Sequence, residues 1–282
     1  MEIKKLSFNQ ERLLHFNWPI TRYCNYSCTY CCTNNMLNQS HAHTPAWPHV
    51  IDKLKKSNKF NLCLSGGEPT YHPDFYSILD ALTECNIGTI FLFTNFSKPV
   101  ETYTNINNKN VVLHISYHPE YDKKFKREKL LEIKKLGIPY SLTVMMHHYK
   151  YWDEIQGIID FSEENNIDFQ LSLLYEHGPF KPIYTDKFWK KFGKYFKESS
   201  VYDSLDILYD DGSESKIDTD DLIYNPINNF KGYKCQAKMF NIQFDGKITN
   251  ACTDIETIIP GAICPKDRCD GILKLAYTKE RI

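Results

Sequence analysis

The sequence predicts an α/β protein built around a parallel β-sheet, and three observations lead there. From Trp18 to Ile167 short apolar runs alternate with longer amphipathic ones. Six of the short runs read as strands with helices between them, the pattern of parallel βαβ units. Polar residues gather just after those runs, where the ends of parallel strands meet on one face. The alternation by itself fits an open doubly wound sheet and a barrel equally.

In chain order, 18–23 reads as the first strand and leads into a cysteine-bearing loop. Residues 47–56 read as a helix, with Val50, Ile51 and Leu54 at helical spacing. Residues 60–65 form a short buried strand that ends in Gly66-Gly67-Glu68-Pro69-Thr70. A helix over 74–85 carries Phe75, Ile78, Leu79 and Leu82 in one stripe. Residues 89–94 are β-branched and aromatic, hence strand, and 111–117 are another strand. A helix over 123–136 closes at Gly137. Strand 140–146, helix 152–165 and strand 169–175 complete the set. The polar residues at the strand ends are Glu68, then Thr94 and Asn95, Ser116 and His118, His147 and His148, and Glu176 and His177.

After Glu176 the character changes. Residues 185–199 read as a helix with Phe188, Trp189, Phe192, Tyr195 and Phe196 on one face and Lys187, Lys190, Lys191 and Lys194 on others. Such a helix suits the open side of a barrel. Residues 203–224 are acidic and turn-rich, and fit a substrate lid or a surface loop. Over 241–251, Asp245-Gly246 signals a hairpin with a two-residue type I′ turn. That register pairs Phe244 with Lys247 and sets Cys252 across from Met239. Cys235 then lies just beyond the hairpin base, and Cys264 and Cys269 follow in a compact loop, so four thiolates become available to one site. The expected division is 1–178, 179–232 and 233–282.

Composition narrows the function. Lys+Arg of 34 against Asp+Glu of 35 gives no net field to attract nucleic acid or a membrane. The first residues lack an apolar signal region, and no run approaches the ~20 apolar residues of a membrane span. The expected compartment is therefore the reducing cytoplasm, where ten cysteines are not explained as disulfides.

Seven of the ten fall in two clusters. The first, Cys24, Cys28 and Cys31, is spaced C-x3-C-x2-C on the loop after the first strand. A cubane of four irons wants four thiolates, and three leave one iron open to bind something else. Zinc also accepts closely spaced thiolates, although a zinc knuckle uses C-x2-C pairs or a nearby histidine. About 35 residues further on comes Gly66-Gly67-Glu68-Pro69. Two glycines let a backbone edge approach a ligand closely, and the glutamate offers an acceptor to an ammonium group.

Together the two motifs, with the aromatic Tyr30 before the last cysteine, resemble the radical S-adenosylmethionine (radical SAM) superfamily. The resemblance implies an incomplete (β/α)6 TIM-like barrel with the cluster loop after its first strand. It implies a [4Fe–4S] cluster on Cys24, Cys28 and Cys31, with S-adenosylmethionine chelating the open iron. Gly66, Gly67, Glu68 and Pro69 would contact the methionine amino group, and Tyr30 would lie against the adenine. Ser116, with Thr94, Asn95 and His118, would reach the ribose or carboxylate. A flavodoxin or ferredoxin would deliver the electron, and the resulting 5′-deoxyadenosyl radical would take hydrogen from an unactivated carbon.

The second cluster, Cys235, Cys252, Cys264 and Cys269, resembles the twitch appendage, a shortened relative of the SPASM domain, which holds an auxiliary [4Fe–4S] cluster. Structural zinc is the other reading of that set. Cys32, Cys63 and Cys85 read as buried thiols, and Cys32 or Cys63 as a hydrogen-atom donor that would turn oxidation into epimerisation. His41 and His43 read as part of a solvated loop. Fewer than twenty residues precede the first strand, which favours a small polar metabolite such as a sugar or nucleotide-sugar over a ribosomal peptide. The alternatives are a peptide maturase of the same superfamily and a zinc-stabilised binding module without catalysis.

Overall fold

A computed structural model describes residues 2–8, 13–31, 46–122, 124–174, 184–196, 204–218, 229–250, 253–256, 262–263 and 277–281. Strand β1 (Ile3–Phe8) comes first, and β2 (Leu14–Thr21) leads into the cysteine loop. There follow α1 (Trp47–Leu54), β3 (Phe60–Gly66), α2 (Phe75–Leu82), β4 (Ile87–Thr94) and the single-turn α3 (Glu101–Thr104). Next come β5 (Val111–Tyr117), α4 (Lys124–Lys135), β6 (Tyr140–Met146), α5 (Trp152–Glu164), β7 (Phe169–Leu173) and α6 (Asp186–Phe192). The later strands are β8 (Ser204–Tyr209), β9 (Glu214–Asp218), β10 (Lys234–Ala237), β11 (Met239–Ile242), β12 (Ile248–Asn250), β13 (Thr253–Glu256), β14 (Ala262–Ile263) and β15 (Tyr277–Glu280).

The larger sheet has the order β13-β12-β11-β2-β3-β4-β5-β6-β7 and is parallel from β11 through β7. Strands β2 to β7 stand side by side in chain order. A doubly wound sheet reverses its order at a switch point, whereas sequential right-handed crossovers keep every helix on one side. Burial follows that rule. Leu62, Leu64, Leu113, Ile115 and Val144 are buried in the core shared with the helices, while Cys63, His114, Ser116 and Thr143 between them are half-buried on the opposite face. The fold is thus a partial (β/α)6 TIM-like barrel, with helices outside and a polar concave face within.

Helix α6 is the sixth return helix. Phe188 and Phe192 pack on Trp152 of α5, with ring centroids 6.0 and 5.7 Å away. In place of the expected cover over the open side of the barrel, α6 takes a position in the outer layer, because its aromatic stripe meets the aromatic end of α5. Among the described residues no helix is long and apolar enough to cross a membrane.

The smaller sheet, β14-β10-β15-β1-β8-β9, is antiparallel and has its own core of Ile3, Leu6, Leu205, Ile207, Phe230 and Cys235. Its strands come from all three stretches of the expected division. Most of the acidic stretch is here a β8–β9 hairpin, paired to β1 at the chain's start.

The C-terminal hairpin also departs from expectation. Gln243 N donates to Lys247 O (2.7 Å) and Gly246 N to Gln243 O (2.9 Å), so three residues close it and Gly246 sits at φ +82°. The register pairs Ile242 with Ile248, one residue away from the type I′ pairing of Phe244 with Lys247. The placing of Cys252 across from Met239 falls with it. Instead of standing apart as a twitch-like domain, β11–β12 extends the barrel sheet alongside β2. Cys252, Cys264 and Cys269 lie outside the described residues, as do Cys32, His41, His43, Glu176 and His177.

Candidate active site

The end of β3 sets the geometry. Gly66 has φ +142°, and a Cβ there would lie 2.2 Å from Thr21 O. A Cβ on Gly67 would lie 2.2 Å from Tyr23 O. Gly67 N donates to Thr21 O (2.8 Å) and Glu68 N to Tyr23 O (2.7 Å). The double glycine is therefore what lets the start of the cysteine loop lie directly on the end of β3.

That contact aims the loop into a cleft of about 850 Å³ at the C-terminal ends of the strands. Cys24, Cys28 and Cys31 line it together with Tyr30, Gly66, Gly67, Thr94, Asn95, Ser116 and His118, and Phe93 and Met145 also line it. Tyr26 N donates to Cys24 Sγ (3.4 Å), as does Asn95 Nδ2 (3.8 Å). Cys28 Sγ lies 3.5 Å from His118 Nδ1, which also meets Tyr30 Oη at 2.6 Å. Burial pushes the Cys24 thiol up to about 11 and the Cys28 thiol up to about 12. Bound iron would reverse that balance, since coordination deprotonates a thiol outright. Three soft donors on one roomy cleft fit an iron–sulfur cluster with an open corner.

Glu68 is not in the cleft. Its side chain is fully buried, and its carboxylate accepts from Thr70 N (3.2 Å), Thr70 Oγ1 (2.7 Å), Thr94 Oγ1 (2.8 Å) and Asn95 N (2.6 Å). Four donors use the oxygens' capacity. In place of the acceptor for an ammonium group, Glu68 braces the end of β4 and so positions Thr94 and Asn95. Pro69 opens a short 3₁₀ turn and is buried beside it.

Two further clasps hold the loop, and sequence reasoning did not anticipate either. Glu120 accepts from Thr29 N (3.1 Å) and Thr29 Oγ1 (2.7 Å), and its Oε1 lies 3.1 Å from His147 Nε2. On the other side Tyr26 Oη donates to Asp122 Oδ1 (2.9 Å). Asp122 Oδ2 accepts from His118 N (2.5 Å) and from Lys126 Nζ (2.6 Å). Lys126 also donates to Asn95 O and Ser116 O, and so joins the ends of β4 and β5 to α4. Asp122 and Lys126 are each 4% exposed. Their i,i+4 spacing was the one available signal, but that spacing marks surface helix pairs far more often.

A buried pair that loses one partner strands the other charge. Asp122→Asn should destabilise the protein by about 3–5 kcal/mol, read from urea unfolding. A change below about 1 kcal/mol, typical of an exposed pair, would show that the network is dispensable.

The remaining candidates lie elsewhere. Cys63 sits on the concave face of β3, two residues before Ser65, with Sγ 3.0 Å from His15 Nε2; burial pushes its thiol up to about 11. Cys235 is buried in the smaller sheet, paired with Ala262 and Lys279. Cys85 follows α2 and is half-buried.

A family model described as the radical SAM superfamily matches residues 18–162. Mycofactocin maturase MftC of Mycobacterium ulcerans is 31% identical over 75 residues, which are 26% of this chain and 20% of that protein. MftC of Mycobacterium tuberculosis H37Rv is similar to the same degree over 26% of this chain and 19% of its own length. The matched stretch thus spans about a fifth of these relatives. Streptococcus suis SuiB, solved with its precursor peptide SuiA, superimposes with a TM-score of 0.58 at 16% identity, covering 93% of this chain and 66% of that one. The sulfatase-maturase structure titled anSMEcpe with bound AdoMet gives 0.56 at 15% identity, covering 94% and 79%. The likeness to the solved structures speaks for the fold, and the family match speaks for more: this chain belongs to the radical SAM superfamily, whose members use a [4Fe–4S] cluster and S-adenosylmethionine.

Proposed function

We propose that this protein is a radical SAM enzyme that modifies a peptide. The observation that carries the reading is the meeting of three thiols and a double glycine on one cleft at the strand ends. Cys24, Cys28 and Cys31 hold the cluster, and Tyr30, Gly66, Gly67, Thr94, Asn95, Ser116 and His118 surround the place of S-adenosylmethionine. When bound and reduced by a flavodoxin or ferredoxin, these groups supply a 5′-deoxyadenosyl radical that takes a hydrogen atom from an unactivated carbon. The chain's own work is to seat both groups and to keep water from the cleft.

The expectation of a sugar or nucleotide-sugar gives way here to the peptide alternative. The relatives whose names state a role are maturases, and SuiB is solved with a precursor peptide. A second [4Fe–4S] cluster on Cys235, Cys252, Cys264 and Cys269 belongs to the proposal as an acceptor for the electron left on the substrate. Cys63 offers the other outcome, since a thiol on the concave face can return a hydrogen atom and give epimerisation.

Label separates these outcomes. A deuterated peptide substrate should pass deuterium into 5′-deoxyadenosine. A product lighter by two hydrogens marks oxidation. A product of unchanged composition carrying solvent hydrogen, lost in Cys63→Ala, marks epimerisation. Deoxyadenosine free of label would exclude the peptide as the hydrogen source.

A further inference from the structure

The seven parallel strands of the barrel contain no Asp, Glu, Lys or Arg in their length. Buried apolar side chains on the outer face of the strands make that unsurprising there. The concave face is a different matter. It is half-buried and polar, yet every polar group on it is formally neutral.

Its side chains pair across neighbouring strands. Asn17 Nδ2 donates to Asn241 Oδ1 (3.1 Å), and His15 Nε2 lies 3.0 Å from Cys63 Sγ. Ser141 Oγ lies 3.3 Å from His114 Nδ1, and Gln170 Nε2 donates to Thr143 Oγ1 (2.9 Å). Burial lowers the affinity of both His15 and His114 for a proton, so both rings stay neutral at neutral pH. The same face continues upward into Phe93, Ser116 and Met145, which line the cleft below the cysteines. Phe93 stacks on His114, with centroids 4.8 Å apart, and ties the two levels together.

The interiors of most parallel barrels are filled with branched apolar side chains. A polar interior that is neither filled nor charged suits a guest that makes hydrogen bonds without bringing charge. A carboxylate, ammonium or phosphate entering it would lose water and find no counter-charge. An amide has donors and acceptors that match Asn17, Asn241 and Gln170 directly, since each carboxamide offers two donors and an acceptor oxygen.

From this we infer that the barrel interior receives an uncharged, hydrogen-bonding stretch of substrate, and that the residue presented to the cleft carries a neutral side chain. The inference rests on the peptide reading above and adds to it a selectivity, with Asn17, Asn241 and Gln170 as specificity-determining residues. It also argues against a nucleotide-sugar, whose diphosphate needs cations that this face lacks.

The test is calorimetric binding to the reconstituted holoprotein with S-adenosylmethionine present. The probes are heptapeptides capped by acetyl and amide groups, so that the termini carry no charge. One set has Asn, Gln, Ser or Thr at the centre, a matched set has Asp, Glu, Lys or Arg, and UDP-glucose is a third probe. The neutral set should bind at least about tenfold more tightly than either of the others, the order of discrimination expected when a site's polar groups are matched in one ligand only. Asn17→Asp, with Asn241→Asp as a second variant should the first fail to fold, should shift preference toward the Lys and Arg peptides.

Equal affinity across the panel, tighter binding of the charged probes or of UDP-glucose, or no binding of any probe would overturn the inference. Deoxyadenosine formed by the same preparation under dithionite keeps such a failure distinct from a failure of the radical SAM assignment.

Discussion

Gly67→Ala is expected to cost the protein its first iron–sulfur cluster while leaving the barrel folded. The added Cβ would stand 2.2 Å from Tyr23 O, 2.5 Å from Tyr23 C and 2.9 Å from Arg22 O. All three are backbone atoms, so no side chain can swing away. The loop must lift from the end of β3, and the hydrogen bond from Glu68 N to Tyr23 O must stretch or break. Cys24 begins the ligand set one residue later, so its thiol moves first. Iron per chain after anaerobic reconstitution should fall by about four, and far-ultraviolet circular dichroism should be unchanged. Full iron content in the variant would mean that the loop tolerates the displacement and that the close approach is incidental.

A Cys24/Cys28/Cys31→Ala triple variant should show the largest effect of all. If the C-terminal cysteines hold a second cluster, wild type carries about eight irons and the variant about four. A variant with no iron at all would remove the auxiliary cluster from the account, and one with unchanged iron would remove the first. The experiment matters because the two sets rest on different ground. The first three thiols share one cleft, whereas Cys235 lies in the smaller sheet and its three expected companions lie outside the described residues.

Where the sequence was legible, local physics decided the outcome. Strands β5 and β6 fall on their expected bounds because β-branched and aromatic runs of that length leave little choice. Helix α4 ends as expected, with Gly137 at φ +72° supplying the left-handed residue that a helix end favours. The C-x3-C-x2-C loop and the double glycine could be read because their spacing is itself the chemistry.

Where the sequence misled, a longer-range contact decided. Asp245-Gly246 serves a two-residue and a three-residue turn alike, since both want a glycine at positive φ, and the choice between them flips the pairing. The aromatic stripe of α6 is the same whether it covers a barrel's mouth or packs on α5, and only Trp152 shows which. Strand β1 could be placed only by knowing that β8 and β15 return to it. Glu68 was assigned outward from its motif, but the donors that turn it inward come from Thr94 and Asn95, 26 and 27 residues away. The Asp122–Lys126 pair looks in sequence like any exposed helix pair, yet it is the buried joint between α4, two strand ends and the cluster loop.

The central claim is that three thiols at this cleft hold a cluster able to cleave S-adenosylmethionine. Its most direct test is to count 5′-deoxyadenosine and methionine released by anaerobically reconstituted, dithionite-reduced protein given S-adenosylmethionine alone. The account predicts both products in equal amounts, formed slowly without substrate and absent from the triple alanine variant. Protein with its full iron content that releases neither product would contradict it.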